Sequence, residues 1–122
     1  DRALQVDAET SEEAGFAAAH ALLARGRPFD AVFAGSDLIA VGALRALAAA
    51  GIRVPEQVSV VGFDDIPMAR FAVPPLTTVV QDTTRAGQLL VSALMQLVRE
   101  EPAESVMLPA SLVVRRSSAV AG

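Results

Sequence analysis

The chain has 122 residues, 52% of them hydrophobic and 20% charged, with a formal net charge of −4. That is one domain's worth of globular polypeptide, long enough to bury a core and too apolar for a disordered segment. The acidic balance excludes a self-sufficient nucleic-acid binder, the lack of cysteine excludes disulfides and thiolate metal sites, and the apolar runs are too short to cross a membrane.

The start, Asp1-Arg2-Ala3-Leu4-Gln5-Val6-Asp7, has no basic-then-apolar layout and no initiating Met, so it reads as a piece of a longer chain rather than a signal peptide. Residues 4–7 are a short strand candidate. Thr10-Ser11-Glu12-Glu13 has the T-x-x-E spacing of a capping box and predicts a helix over 14–24, closed near Arg25-Gly26. An apolar strand follows at 31–34. Ser36 or Asp37 caps the next helix, in which Leu38, Val41, Leu44 and Leu47 recur at helical spacing, and Gly51 stops it ahead of Pro55. Residues 58–63 are almost wholly apolar, as in a parallel strand buried on both faces. A helix between two such strands makes a right-handed βαβ unit the default.

Residues 66–75 are proline-rich and read as irregular, with one helical turn around 68–71. A short strand at 77–80 precedes a second long helix at 84–99, where Ala86, Leu89, Leu90, Ala93, Leu94 and Leu97 repeat at spacings of three and four. Strands at 106–108 and 112–115 flank Pro109 and close the chain. No internal repeat or low-complexity tract is present. All basic residues are Arg, and Lys, Asn, Tyr and Trp are missing, a bias of GC-rich bacterial genomes that says nothing about function.

Polar groups cluster where the predicted strands end, which is where open α/β sheets hold small ligands. Asp64-Asp65 follow the apolar strand at 58–63. In extended geometry only one of them faces a crevice, and both are alternatively read as capping the turn at Ile66-Pro67. Ser36 lies at the end of the preceding strand, with helix capping as its other reading; Asp37 is read as binding the open amides of its own helix. Catalytic readings fail. His20 is alone in mid-helix, Gly35-Ser36-Asp37 is not a nucleophile elbow, and Gly35, Gly42 and Gly51 match neither a P-loop nor a dinucleotide fingerprint. An acidic Mg²⁺ pocket built from Asp37, Asp64 and Asp65 lacks the Lys that phosphotransfer domains of that kind use. No cofactor, metal site or enzymatic activity is expected.

The succession Ala34-Gly35-Ser36-Asp37-Leu38-Ile39-Ala40-Val41-Gly42-Ala43-Leu44-Arg45-Ala46-Leu47, then Gly51-Ile52-Arg53-Val54-Pro55-Glu56, then Val58-Ser59-Val60-Val61-Gly62-Phe63-Asp64-Asp65 closely resembles the effector-binding core of LacI/GalR-type bacterial transcriptional regulators. The likeness continues through Pro74-Pro75-Leu76-Thr77-Thr78-Val79-Val80-Gln81 and Leu108-Pro109-Ala110-Ser111-Leu112-Val113-Val114-Arg115, over nearly the whole chain.

The resemblance implies an α/β fold: a Rossmann-like parallel sheet flanked by helices, periplasmic-binding-protein-like type I and incomplete. Residues 1–79 and 106–122 would form the C-terminal subdomain, and 80–105 a crossing segment and helix of the N-terminal subdomain. The implied protein is a cytoplasmic homodimer. A small polar effector, most simply a sugar, would bind between subdomains and control a separate helix-turn-helix headpiece that alone contacts operator DNA. A periplasmic sugar-binding protein of a transporter is the alternative on the same fold. Asp64 would be the effector contact, joined by Ser36, Thr10, Gln81 and Thr83; Ser36 stands where many relatives carry Asn, and Thr10 and Thr83 where relatives often carry stacking aromatics. Those departures imply a ligand unlike the best-known ones, or one held mainly by the other half. The dimer contact would use Leu38, Val41, Ala43 and Arg45 against Met68, Phe71 and Ala72. The implied strand order 2-1-3-4-5 makes 4–7 the second strand and 31–34 the third, so the central strand would precede Asp1. Three outcomes would relieve the unpaired edges: that segment in place, a swapped second chain, or 4–7 moving in against 31–34.

Overall fold

The computed structural model describes residues 2–119. Four strands, β1 Ala31–Phe33, β2 Ser59–Phe63, β3 Thr77–Gln81 and β4 Ala110–Val113, pair in that order. The first three run parallel and β4 joins the edge antiparallel, with Thr78 opposite Val113 and Gln81 opposite Ala110. Three α-helices accompany them: α1 Glu12–Ala24, α2 Asp37–Ala49 and α3 Thr83–Val98. The expected helical turn is a 3₁₀ segment, Pro67–Arg70.

The core lies between α2 and the sheet. Ala40, Leu44 and Leu47 on α2 meet Val58, Val60 and Leu76, with Ala34 and Ala69 completing the cluster. Burying one leucine side chain this fully contributes about 1.5–3 kcal/mol. β2, expected to be buried on both faces, is buried on one: Val60 and Gly62 are covered, whereas Ser59, Val61 and Phe63 are half-exposed. Alternation in burial despite an apolar sequence means that the second face has no helix on it among the described residues.

α1 packs on α2 through small residues. Gly15 and Gly42 sit where the helices cross, and a Cβ at either would strike backbone of the other helix, at Ile39 and at Glu12 and Phe16 respectively. Ala19, Ala43 and Ala46 fill the rest of that contact against Phe16. The helix is capped by Ser11, whose Oγ accepts from Ala14 N at 3.1 Å, and not by Thr10, which is exposed. The capping-box reading is therefore one residue out.

Residues 4–7 do not form a strand. Arg2–Leu4 is a 3₁₀ turn, and Arg25 Nη1 holds the segment by donating to Ala3 O at 2.8 Å and Gln5 O at 3.0 Å. A slot of about 560 Å³ separates residues 4–8 from the outer edge of β1, with α1 along its floor. The 31–33 to 59–61 pairing is kept, and Ala31 and Phe33 on the free edge are exposed, so 4–7 has not moved in to pair with β1. Residues 106–108 are likewise not a strand. No strand among the described residues offers them a ladder, and residues 102–106 run beside α3 instead. β4 starts at Ala110 and stops at Val113, two residues earlier than expected.

Beyond β4 the chain turns into the sheet. Ser117, fully buried, donates through Oγ to Val60 O at 2.6 Å, and its Oγ accepts from Thr77 N at 2.8 Å. Val60 N donates to Ser117 O at 2.7 Å. The segment after β4 thus bridges β2 and β3 where they start to pair, satisfying backbone groups that burial would otherwise penalise.

Candidate functional site

The parallel strands present their carboxyl ends on one edge. Register sets this geometry: Phe33 lies opposite Val61, and Phe63 opposite Val79. Ser36, Asp64 and Gln81 therefore follow three neighbouring strands on a common side of the sheet, where a ligand meets strand ends and helix N-termini together.

Ser36 is buried and caps α2, its Oγ accepting from Ile39 N at 3.3 Å. The capping reading holds. Gln81, at the end of β3, and Thr83, the first residue of α3, are exposed, with α3 capped by Asp82 through Oδ1 and Arg85 N at 2.8 Å. Thr10 is exposed just ahead of α1, whose first turn packs on the first turns of α2. Ser36, Asp64, Gln81 and Thr83 thus sit where the strands end, with the Ser36 hydroxyl engaged in its cap, and Thr10 precedes α1.

The two aspartates separate sharply. Asp65 Oδ1 accepts from Arg115 Nη2 at 2.7 Å, and both side chains are mostly covered. Asp64 is exposed, and its side chain has no hydrogen-bond partner among the described residues. The pair is not extended as expected: φ is +104° at Asp64 and +51° at Asp65, both in the region that favours glycine. Non-glycine residues persist there only when surrounding contacts over-determine them. Those contacts are visible. Asp64 N donates to Val79 O at 2.8 Å, Asp65 N to Thr78 Oγ1 at 3.4 Å, and Ile66 N to Asp37 Oδ2 at 2.9 Å.

Asp37 is the residue that sequence reasoning placed wrongly. Its carboxylate does not bind amides of its own helix. It is completely buried and reaches across the sheet, accepting from Thr78 Oγ1 at 2.6 Å and from Ile66 N. Gly62 makes room for it, since a Cβ there would collide with Asp37 Oδ1. Its position in the first turn of α2 suits a negative group through the helix dipole. Arg115 was missed as part of this cluster: Nη1 donates to Leu76 O at 2.8 Å and its amide to Thr77 Oγ1 at 2.9 Å. No local signal ties residue 115 to residue 65; only the β3–β4 ladder does. With Asp37 and Asp65 both engaged, the acidic trio does not converge on a metal, and no group of three metal-binding side chains exists among the described residues.

The expected dimer residues are on α2 and on the segment 67–72. Leu38 and Val41 are half-buried, and Arg45 is exposed with its guanidinium carbon 5.9 Å from the Phe16 ring centroid. Met68 and Phe71 are exposed, Phe71 at 82%, beside Val73 at 89%. Ala72 is half-buried against the core, and Ala43, expected on this surface, is buried under α1. The Ala43 assignment fails because its position on α2 faces α1.

The model of the periplasmic binding protein-like domain matches residues 2–118. The HTH-type transcriptional regulator MalR of Streptomyces coelicolor is 47% identical over 112 residues, covering 89% of this chain and 32% of that protein. The HTH-type transcriptional regulator CelR of Thermobifida fusca is 45% identical over 107 residues, covering 86% of this chain and 32% of that one. Among solved structures, a transcriptional regulator CelR–cellobiose complex superposes with a TM-score of 0.89 at 42% identity, covering 97% of this chain and 37% of that chain. A lac repressor dimer bound to operator and the anti-inducer ONPF gives 0.84 at 36% identity, covering 90% of this chain and 39% of that chain. The chain spans about a third of the length of the curated relatives it matches. These relatives are regulators, not transporter components. The chain belongs to the periplasmic binding protein-like family, and the relatives and structures it resembles over part of their length are LacI-type transcriptional regulators.

Proposed function

We propose that this chain supplies one wall of an effector cleft in a cytoplasmic, homodimeric, non-enzymatic regulator, with Asp64 as the main acceptor for a small polar, sugar-like ligand. The observation that carries this reading is the contrast within the pair: Asp65 is engaged by Arg115, while Asp64 stands exposed and unpartnered at the strand ends. A charge-assisted hydrogen bond to such a carboxylate contributes about 1.5–3 kcal/mol. Gln81, Thr83 and Thr10 border the same cleft, and Ser36 acts chiefly as the α2 cap. The cellobiose bound in the similar CelR complex supports a sugar-like ligand.

In this reading residues 1–79 and 106–122 belong to one subdomain, and 80–105 reach into the other. Support comes from α3, which has no buried residue and exposes Leu90, Val91, Leu94 and Leu97. The slot beside β1 receives a strand from elsewhere in the whole protein. Ligand binding shifts the subdomains' relative orientation, and a helix-turn-helix headpiece outside this chain gains or loses operator affinity. Dimerisation uses the Leu38, Val41, Arg45, Met68, Phe71 and Ala72 surface. Calorimetry on the full-length regulator tests the central claim: Asp64→Ala lowers effector affinity at least tenfold without unfolding the protein. Unchanged affinity would sink the assignment.

A further inference from the structure

Two adjacent non-glycine residues at positive φ carry the exposed carboxylate of Asp64, and the contacts that hold them come from three different elements. Asp37 at the start of α2 takes the Ile66 amide, Thr78 and Val79 on β3 take the Asp65 and Asp64 amides, and Arg115 just past β4 takes the Asp65 carboxylate. Only Arg115 acts on a side chain of the loop. Its guanidinium is forked: Nη2 goes to Asp65, and Nη1 to Leu76 O ahead of β3. A planar fork anchored on backbone at one prong fixes the other prong in space.

We infer that Arg115 is a positioning residue for the ligand contact: through Asp65 it holds the 64–66 loop in its left-handed conformation and so sets where the Asp64 carboxylate points. This rests on the reading of Asp64 given above. Without the ion pair, the backbone at Asp64 and Asp65 relaxes toward negative φ and the carboxylate leaves the strand-end edge. Asp37, itself held by Thr78, still takes the Ile66 amide, so the sheet and its core stay intact. Arg115 also lies two residues past the end of β4, the strand on which the chain returns from α3. The direction of Asp64 is thereby tied to the segment joining the sheet to α3, the part with no buried residues.

The experiment uses the full-length regulator with cellobiose as probe, in wild type, Arg115→Gln, Arg115→Lys, Asp65→Asn, the Arg115→Gln/Asp65→Asn double variant and Asp64→Ala. Amide exchange read by NMR is measured without sugar, and affinity by calorimetry. The expected result is at least tenfold faster exchange at Asp64 and Asp65 in Arg115→Gln, with Val60 and Leu47 unchanged. Cellobiose affinity falls about tenfold in either single variant, and no further in the double one. Arg115→Lys, which keeps the charge but loses the fork, recovers part of both losses. Wild-type exchange at Asp64 and Asp65 in Arg115→Gln overturns the inference, whatever the sugar does. So does full cellobiose affinity in Arg115→Gln when Asp64→Ala abolishes it. If cellobiose binding is indifferent to Asp64→Ala, the ligand reading fails, while the exchange data still decide whether Arg115 holds the loop.

Discussion

α2 and α3 are both long, well capped helices, yet they live in opposite surroundings. α2 buries seven of its residues, among them Leu44 and Leu47, between the sheet and α1. α3 is the more sharply amphipathic of the two and buries none, leaving Leu90, Val91, Leu94, Met95, Leu97 and Val98 exposed. Amphipathicity tells that a helix needs a partner, and does not say that the partner is in the same stretch of chain. α2 carries small residues on a second face, Gly42, Ala43 and Ala46, because it is covered twice. α3 has a single apolar stripe, suited to one cover that residues 2–119 do not supply.

The contrast predicts unequal responses to the same substitution. Leu47→Ala removes a fully buried side chain and is expected to cost about 2–5 kcal/mol in urea unfolding. Leu94→Ala, tested in the 122-residue chain, should stay within about 0.5 kcal/mol. In the full-length regulator the α3 substitution should instead approach the cost of the α2 one. If Leu94→Ala is equally harmless in both, α3 has no partner in the whole protein either.

A smaller effect comes from overpacking at the α1–α2 crossing. Gly42→Ala puts a methyl against backbone of Glu12 and Phe16 and should destabilise by about 1–3 kcal/mol, whereas Gly87→Ala on α3, where a Cβ meets nothing, should be neutral or slightly stabilising. Thermal melting of the two variants gives the sign directly. The smallest expected effect concerns the caps. Ser36→Ala should cost about 1 kcal/mol because it orphans an amide beneath the strand-end edge. Asp82→Ala should lower the protection of the first α3 amides while leaving the sheet's exchange untouched. A global loss from Asp82→Ala would mean that α3 and the sheet unfold as one unit.

Much of the body was legible in the sequence because its signals are local. Ser36 capping α2, the leucine spacing along it, Gly51 after it, and strands near 31–34, 58–63 and 77–80 all depend on residues within a few positions of one another. The misplacements also have one cause. Residues 4–7 and 106–108 look like strands locally, but a strand exists only where another offers it a ladder, and neither segment has one. Thr10 lost the cap to Ser11 although only Thr10 has a Glu three residues on: the T-x-x-E spacing favoured the wrong one of two adjacent hydroxyls.

The site divides in the same way. That an acidic pair ends an apolar strand is written in the chain, and the family likeness singles out its first member. Which carboxylate is engaged, which is free, and how the backbone turns between them are settled by Asp37, Thr78 and Arg115, residues 13 to 50 positions away along the chain from the groups they bind. Local patterning and composition determined the helices, the parallel-strand character and the absence of disulfides, since these follow from side-chain chemistry and short-range geometry. Only the tertiary structure decided that α3 stays bare, that β2 is covered on one face, and that Asp64 rather than Asp65 is offered to solvent. Each of those depends on which distant segments the sheet register brings together.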